Sequence, residues 1–267
     1  MRLATVTDPA TGQPTAAEVR DDAVVLYAEG TQVVELLALE TPPAAPADGT
    51  RLALAQVTFH APVPQPRAIF GIGLNYAEHA RETGQDLPET PMVFLKLPSS
   101  SVPPNGAVTP PARVMAQLDY EAELAVVMGA GNRIAGYAVA NDLSARDLQA
   151  AEPRWVRAKG FDGSCPWGPY ITTADAVADP RALAITSDVD GERRQDSTTA
   201  ELVFGPQELV DFIAETITFA PGDLILTGTP SGVGRAMNPP RFLIDGSVVR
   251  CEVEGLGAIE HTIRAPR

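Results

Sequence analysis

Short blocks of apolar residues, separated by glycine, proline and polar turn residues, dominate the chain from about residue 65 onward. Blocks of this length and spacing are typical of buried or half-buried β-strands. The segments that fit this pattern are PMVFLKL, EAELAVVMG, IAGYAVANDL, GPYITT, ALAITSDVDGERR, DLILTGTP and SVVRCEVEGLGAIEHTI. The VDGE sequence inside the fifth segment predicts a hairpin turn.

Helical spacing of apolar residues is rarer in this chain. It predicts helices over 76–83, 145–149 and 206–216, the last with four apolar residues on one face. Strands and helices do not alternate along the sequence, which disfavours a doubly wound α/β fold. We therefore predict a β-rich α+β fold with large mixed or antiparallel sheets.

The first 60 residues are predicted to form short strands and turns. The segment AAEVRDDAVVLYA has the pattern of a hairpin with RDD at its turn, and TQVVELLALE has the pattern of a short helix. A loop rich in proline and alanine, TPPAAPADGT, follows. We predict a small N-terminal subdomain over 1–64 and a main domain over 65–267.

The charge balance limits the partners that the protein can bind. The 267-residue chain has a formal net charge of −14 at pH 7, whereas nucleic acid or an anionic membrane surface requires a basic face. A small anionic substrate remains compatible with this charge if positive charge is concentrated locally. The sequence has no secretory signal pattern, no membrane-spanning apolar run and no disulfide or metal spacing of its two cysteines, so we expect a cytoplasmic protein.

Four acidic residues stand at the ends of two predicted strands. Asp119, Glu121 and Glu123 occupy alternate positions, and Asp142 follows the next apolar strand. If these strands are neighbours, Glu121, Glu123 and Asp142 meet at one point and form an oxygen-rich site suited to Mg²⁺, Mn²⁺ or Ca²⁺. The alternative is an edge strand whose acids are simply hydrated.

The segment GIGLNYAEHARETG places a histidine and a glutamate three residues apart. On a helix, His79 and Glu82 share a face, and a carboxylate beside an imidazole orients it as a general base that activates water. Gly73 and Gly84 bracket the segment, as hinges of a lid would. The alternative is an ordinary solvated helix face.

Further polar residues follow these segments. Arg146 is able to clamp a carboxylate, and Gln149 to donate to an oxyanion, although a structural ion pair explains Arg146 equally well. The chain has only two lysines, Lys96 and Lys159, and the second lies in a loop rich in glycine and proline, where it could stabilise an enolate. Thr229 lies in the glycine-rich segment LTGTPSGVG, whose hydroxyl and amides could hold a carboxylate.

Taken together, these segments resemble the fumarylacetoacetate hydrolase superfamily, in particular its bacterial acylpyruvate hydrolase and hydroxymuconate isomerase-like branch. The resemblance covers about residues 67–263. It is carried by GIGLNYAEHARETG, PMVFLK, DYEAELAVVMG, GYAVANDLSARDLQ, AKGFDGSCPWGP, PGDLILTGTPSGVG and VEGLG in that order. It implies a roll of mixed β-sheets that assembles as a homodimer.

The resemblance also implies roles for single residues. Glu121, Glu123 and Asp142 match the ligands of a Mg²⁺ or Mn²⁺ ion, with Ca²⁺ as a further candidate. Asp119 matches no ligand, and we expect it to face solvent. The implied catalytic residues are His79, Glu82 and Lys159, and the implied substrate contacts are Arg146, Gln149, Thr229 and Gly73.

The implied activity is hydrolysis of the carbon–carbon bond of an acylpyruvate-like 2,4-dioxo acid. Water activated by His79 and Glu82 would attack the distal carbonyl, and an enolate stabilised by the metal would leave. The same site supports a 2-hydroxymuconate-type isomerase or an oxaloacetate decarboxylase, and a non-catalytic metal-binding protein is a further alternative. Two departures bear on the substrate: the 124–141 connection and the segment from Gln149 to Lys159 are both shorter than the family's. In addition, Asn75 stands where eukaryotic members have an acidic metal ligand, which disfavours fumarylacetoacetate itself.

Overall fold

A computed structural model describes residues 1–266 of the chain. The strands are β1 Arg2–Thr7, β2 Pro14–Arg20, β3 Ala23–Leu26, β4 Arg51–Ala53, β5 Ile69–Gly73, β6 Met92–Lys96, β7 Ser101–Val102, β8 Asn105–Val108, β9 Leu118–Asp119, β10 Ala122–Met128, β11 Ile134–Asn141, β12 Ser144–Ala145, β13 Cys165–Thr173, β14 Ala184–Val189, β15 Glu192–Thr198, β16 Leu224–Leu226, β17 Val248–Val253 and β18 Gly257–Ile263. The α-helices are α1 Val33–Ala38, α2 Ala77–Glu82, α3 Arg146–Ala151, α4 Val156–Lys159 and α5 Pro206–Ala214. The predicted β-rich α+β fold with mixed sheets is confirmed.

An 11-stranded sheet organises the chain, with the strand order β4-β3-β2-β1-β13-β11-β10-β16-β5-β6 and β7 paired beside β13. Most neighbours are antiparallel, whereas β16 with β5 and β7 with β13 are parallel. The N-terminal strands extend this sheet, because β1 is hydrogen-bonded to β13. The division into a subdomain over 1–64 and a domain over 65–267 stays a prediction.

A second sheet of five strands, in the order β15-β14-β17-β18-β8, packs against the first. Strand β10 is buried on both faces, which explains its nearly unbroken apolar sequence. Leu124 and Val126 belong to the core between the two sheets, whereas Ala125 and Val127 belong to the core that includes α1. The two cores therefore pack against both faces of β10 and fix its position.

Local patterns predicted most elements correctly, with two corrections. The RDD hairpin joins β2 to β3, and the three predicted helices correspond to α2, α3 and α5. The segment around Lys159 is not a simple loop, because it forms α4 and then enters β13 at Cys165. The strand through the acidic residues is interrupted, since β9 ends at Asp119 and pairs with β12 in a separate sheet. Among the residues described, no helix is long and apolar enough to cross a membrane.

Candidate active site

Three carboxylates meet where the hairpin of β10 and β11 ends. Ala122 lies opposite Asn141 in the ladder, and the Asp142 amide donates to the Glu121 carbonyl oxygen over 2.9 Å. As a result, Glu121, Glu123 and Asp142 each offer an oxygen, and these oxygens lie within 4.8 Å of one another. All three side chains are buried. The structure thus brings together the carboxylates that the sequence predicted to converge, and their role as ligands stays a prediction.

Two buried lysines neutralise part of this cluster. Lys159 Nζ lies 2.5 Å from Glu121 Oε2 and 2.8 Å from Asp142 Oδ2. Lys96 Nζ lies 2.5 Å from Asp142 Oδ1, which gives this lysine a structural position beside the third carboxylate. Burial alone would lower the pKa of Lys159, but the charges of Asp142 and Glu121 raise it above its ordinary value. Lys159 is therefore a permanent cation here.

The two glutamates differ in their electrostatic surroundings. Burial tends to raise the pKa of Glu121, but Lys159 and Arg146 hold it well below its usual range. Glu123 accepts a hydrogen bond from the Gly228 amide over 2.7 Å and forms no ion pair within residues 1–266. Burial, followed by the charges of Asp142 and Glu121, raises the pKa of Glu123 well above its ordinary value.

A divalent cation fits this donor set. Three converging carboxylate oxygens match the preference of Mg²⁺, Mn²⁺ and Ca²⁺ for hard oxygen ligands. Burial and the neighbouring charges of Asp142 and Glu121 disfavour the ionised form of Glu123, and a bound cation would compensate this effect. Glu121, Glu123 and Asp142 are therefore the residues that could hold a metal ion.

Asp119 is buried, contrary to the expectation that it faces solvent. Its carboxylate accepts hydrogen bonds from Arg146 Nε over 2.8 Å and from the amides of Gly234 and Arg235 over 2.8 and 3.0 Å. The expectation of solvent exposure rests on the absence of a matching metal ligand at this position, but a residue that binds no metal can still be buried. The strand is interrupted after Asp119, and the carboxylate pairs with Arg146 instead. Asp119 is a positioning residue of the site.

Arg146 links Asp119 to the carboxylate cluster. Its Nη1 lies 2.7 Å from Glu121 Oε1 and donates to Gln149 Oε1 over 2.9 Å. Arg146 therefore forms the structural ion pair that the sequence allowed, and it also lines the cavity. Its Nη2 is buried and has no hydrogen-bond partner within residues 1–266. An unpaired donor at this place is suited to a carboxylate of a bound ligand.

The predicted histidine–glutamate pair is present on α2. His79 Nδ1 lies 3.2 Å from Glu82 Oε2, and Glu82 Oε1 accepts a hydrogen bond from the Gly232 amide over 2.8 Å. The imidazole is nearly buried, which excludes the ordinary solvated helix face as an explanation. Because Glu82 is fixed by a second element, it holds the imidazole in one orientation. Gly84, after the helix, has a φ of +66° that favours glycine.

A cavity of about 390 Å³ is lined by most of these groups, whereas Glu82 and Asp142 lie behind its lining residues and contact it through His79 and Lys159. The predicted site residues that line it are Gly73, His79, Glu121, Glu123, Arg146, Gln149, Lys159 and Thr229. Further polar or aromatic residues that line it were not among the predicted site residues, including Gln85, Phe94, Trp155 and Arg235. Phe94 and Trp155 pack edge to face with ring centroids 5.7 Å apart, and Lys159 Nζ lies 5.1 Å from the centroid of Phe94. Strand alternation along β6 puts Phe94 on the opposite face from Val93 and Leu95, and this signal could have identified it. No local pattern in the sequence identifies Arg235.

The Thr229 hydroxyl is already engaged. It donates to the Ala122 carbonyl oxygen over 2.9 Å and accepts from Gln195 Nε2 over 2.7 Å. Gln195, which the sequence analysis also missed, is fully buried and ties the start of β10 to the segment that carries Thr229. A substrate contact by Thr229 stays a prediction, and the hydroxyl proton is not free to make it in this arrangement.

Comparisons with known proteins agree with the geometry. The fumarylacetoacetate (FAA) hydrolase C-terminal model matches residues 68–264. The mitochondrial oxaloacetate tautomerase FAHD2B of Bos taurus is 42% identical over 218 residues, which are 77% of this chain and 69% of that protein. The oxaloacetate tautomerase YisK of Bacillus subtilis (strain 168) is 38% identical over 223 residues, 79% of this chain and 74% of its own.

Solved structures extend the likeness over the whole chain. A fumarylacetoacetate hydrolase from psychrophilic Exiguobacterium antarcticum superimposes with a TM-score of 0.89 at 31% identity, covering 100% of both chains. A 5-carboxymethyl-2-hydroxymuconate delta-isomerase from Mycobacterium smegmatis does so with a TM-score of 0.81 at 32% identity, again over 100% of both chains. The chain therefore belongs to the fumarylacetoacetate hydrolase family.

Proposed function

We propose that this protein is a metal-dependent enzyme that interconverts the keto and enol forms of an oxaloacetate-like 2-oxo acid. One observation carries the proposal: a single cavity is lined by two members of the carboxylate cluster, Glu121 and Glu123, and by Lys159, His79 and Arg146. The Nη2 of Arg146 has no hydrogen-bond partner within residues 1–266. A 2-oxo acid presents a carboxylate that suits Arg146, a carbonyl that suits Lys159 and the carboxylate cluster with its cation, and an acidic C–H bond that suits the His79 base. The tautomerase names of the relatives support this reaction over hydrolysis.

Each residue has a chemical task in the proposed reaction. The unpaired Nη2 of Arg146 binds the carboxylate of the substrate. The Lys159 ammonium stabilises negative charge that develops on the 2-oxo oxygen. A divalent cation bound by the three carboxylates would supply Lewis acidity at the same carbonyl group.

His79 moves the proton. When its Nδ1–H donates to Glu82 Oε2, the lone pair of Nε2 is free to accept a proton from C3 of the substrate. The electron pair of the C–H bond then forms the C2–C3 double bond, and the carbonyl electrons move to the oxygen. Return of the proton to the oxygen gives the enol, and the reverse sequence restores the keto acid.

Hydrolysis of an acylpyruvate is the second candidate function. The observation that favours it is the fixation of Glu82 by both His79 and the Gly232 amide, because an oriented imidazole is also able to deprotonate water. In that reaction, water would attack the distal carbonyl, and the C–C bond would break to release a carboxylic acid and the enolate of pyruvate.

Activity assays on two substrates distinguish the tautomerase from the hydrolase. We expect Mg²⁺-loaded protein to accelerate the loss of the ultraviolet absorbance of enol-oxaloacetate above the rate of the same buffer without protein. Acylpyruvates would be tested in parallel for release of pyruvate. Turnover of acylpyruvates without acceleration of the oxaloacetate equilibrium would refute the tautomerase and favour the hydrolase.

We further propose that two copies of the chain associate through β6. This strand is the last of the large sheet, so one of its edges is unpaired within the described residues. Three large apolar residues of the strand are exposed, Met92, Val93 and Leu95, and so is Leu97 directly after it. If no partner covered it, an exposed apolar edge strand of this kind would be prone to non-specific association with other chains. Light scattering should give twice the 28.1 kDa mass of the chain, and Leu95→Glu should reduce it; a monomeric wild type would contradict the proposal.

A further inference from the structure

The basic side chains around the cavity are not equivalent. Lys96, Lys159 and Arg146 are buried and ion-paired with acids of the site. Arg235 also lines the cavity, but its side chain is exposed and has neither an acid partner nor a hydrogen bond within residues 1–266. Its guanidinium is therefore available to a ligand, with five donors in a planar arrangement that matches a carboxylate.

The backbone of Arg235 is fixed at the cavity wall. The amides of Gly234 and Arg235 both donate to the buried carboxylate of Asp119, which also binds Arg146. A Cβ at position 234 would lie 2.7 Å from Asp119 Oδ1 and 2.1 Å from the Arg241 carbonyl oxygen, so only glycine allows this close approach. The same carboxylate thus sets the positions of the two arginines, one at the base of the cavity and one at its wall.

The balance of charge favours a ligand with two negative charges. Four carboxylates and three basic side chains form the buried network. The members are Asp119, Glu121, Glu123, Asp142, Lys96, Arg146 and Lys159. With Glu123 ionised, as a metal ligand must be, they leave one net negative charge. A divalent cation changes this to one positive charge, and Arg235 adds a second. A dicarboxylate neutralises both, whereas a monocarboxylate leaves one uncompensated.

We propose that Arg235 binds the distal carboxylate of the substrate and makes the site selective for 2-oxo dicarboxylates over monocarboxylates. The proposal rests on the proposed function, which places the 2-oxo acid group at the carboxylate cluster. The 2-oxo acid group and Arg235 share one cavity of about 390 Å³, a volume suited to a small dicarboxylate.

A binding experiment tests this selectivity without turnover. Malate and 2-hydroxybutanoate have the same 2-hydroxy acid group, but C4 is a carboxylate in malate and a methyl group in 2-hydroxybutanoate. Calorimetry on Mg²⁺-loaded protein would measure both. We expect wild type to prefer malate by about 10- to 100-fold, the range of a charge-assisted pair, and Arg235→Met to lose this preference. Arg235→Lys should retain part of it, because the charge remains but the two parallel hydrogen bonds are lost.

Arg241→Met is the matched control. Arg241 is exposed, pairs with Glu192 over 2.9 Å and does not line the cavity, so its loss removes an equal charge nearby and should leave the preference for malate unchanged. Three results would each overturn the role of Arg235: a wild type that does not prefer malate, an Arg235→Met variant that keeps the preference, or an Arg241→Met variant that loses it to the same extent. If malate is preferred through Arg235 but the wild type does not accelerate oxaloacetate tautomerisation, the proposed function fails and the assignment of Arg235 stands.

Discussion

Replacement of Asp119 by asparagine probes the centre of the polar network. The substitution keeps the shape of the side chain but removes its charge and replaces one acceptor oxygen by an NH₂ donor. Oδ1 accepts from the amides of Tyr120 and Gly234, and Oδ2 accepts from Arg146 Nε and the Arg235 amide. In either orientation, the new NH₂ group therefore faces two N–H donors.

The loss of stability follows from the burial of these groups. The side chains of Asp119 and Arg146 are 0% and 4% exposed, so the guanidinium would lose a charged partner where water cannot replace it. Removal of one member of a buried ion pair costs about 3–5 kcal/mol. For a chain of this size, that corresponds to a decrease in Tm of roughly 6–20 °C.

Differential scanning calorimetry checks this expectation. The matched control is Asp22→Asn, whose carboxylate forms a surface pair with Arg51 over 3.3 Å and is 92% exposed, and which should leave Tm unchanged because such pairs contribute little. If Asp119→Asn melts at the temperature of the wild type, the carboxylate does not fix Arg146, and the role of Asp119 as a positioning residue is wrong.

Three further predictions concern the site and the core. His79→Ala should abolish tautomerisation and leave Mg²⁺ affinity unchanged; calorimetry that shows lost metal binding would contradict the role of His79 in proton transfer. In metal-free protein, the raised pKa of Glu123 means that the folded state keeps a proton that the unfolded chain releases above the ordinary pKa of 4.5. The free energy of unfolding should therefore fall as the pH rises above 4.5, and Glu123→Gln should remove this loss. A Tm of Glu123→Gln below that of the wild type, at neutral pH in chelator, would contradict this prediction. Burial raises the pKa of Cys165 to about 12, so the native thiol should not react with Ellman's reagent until the protein unfolds.

The carboxylate cluster was predictable because its order is local. Glu121 precedes β10 and Glu123 is its second residue, Asp142 follows β11, and the hairpin of these two strands aligns their ends. The histidine–glutamate pair was predictable for the same reason, since both residues lie on one short helix. Patterns within a single element carry this information directly.

Other parts of the site depend on contacts between distant segments. Asp119 has the same sequence parity as Glu121 and Glu123, but the interruption of the strand directs it to Arg146. Arg235 reaches the cavity because its amide binds a carboxylate 116 residues earlier in the chain. Such contacts are set by tertiary packing, and no periodicity in the sequence encodes them.

The central claim is that a divalent cation bound by the three carboxylates drives enol chemistry on a 2-oxo acid. The most direct test follows enol-oxaloacetate absorbance with metal-stripped protein as Mg²⁺ is added, with protein-free samples at each Mg²⁺ concentration as background. We predict saturable activation of the wild type and none for Glu123→Gln. Full activity of the wild type in chelator, or equal activation of Glu123→Gln, would contradict the claim.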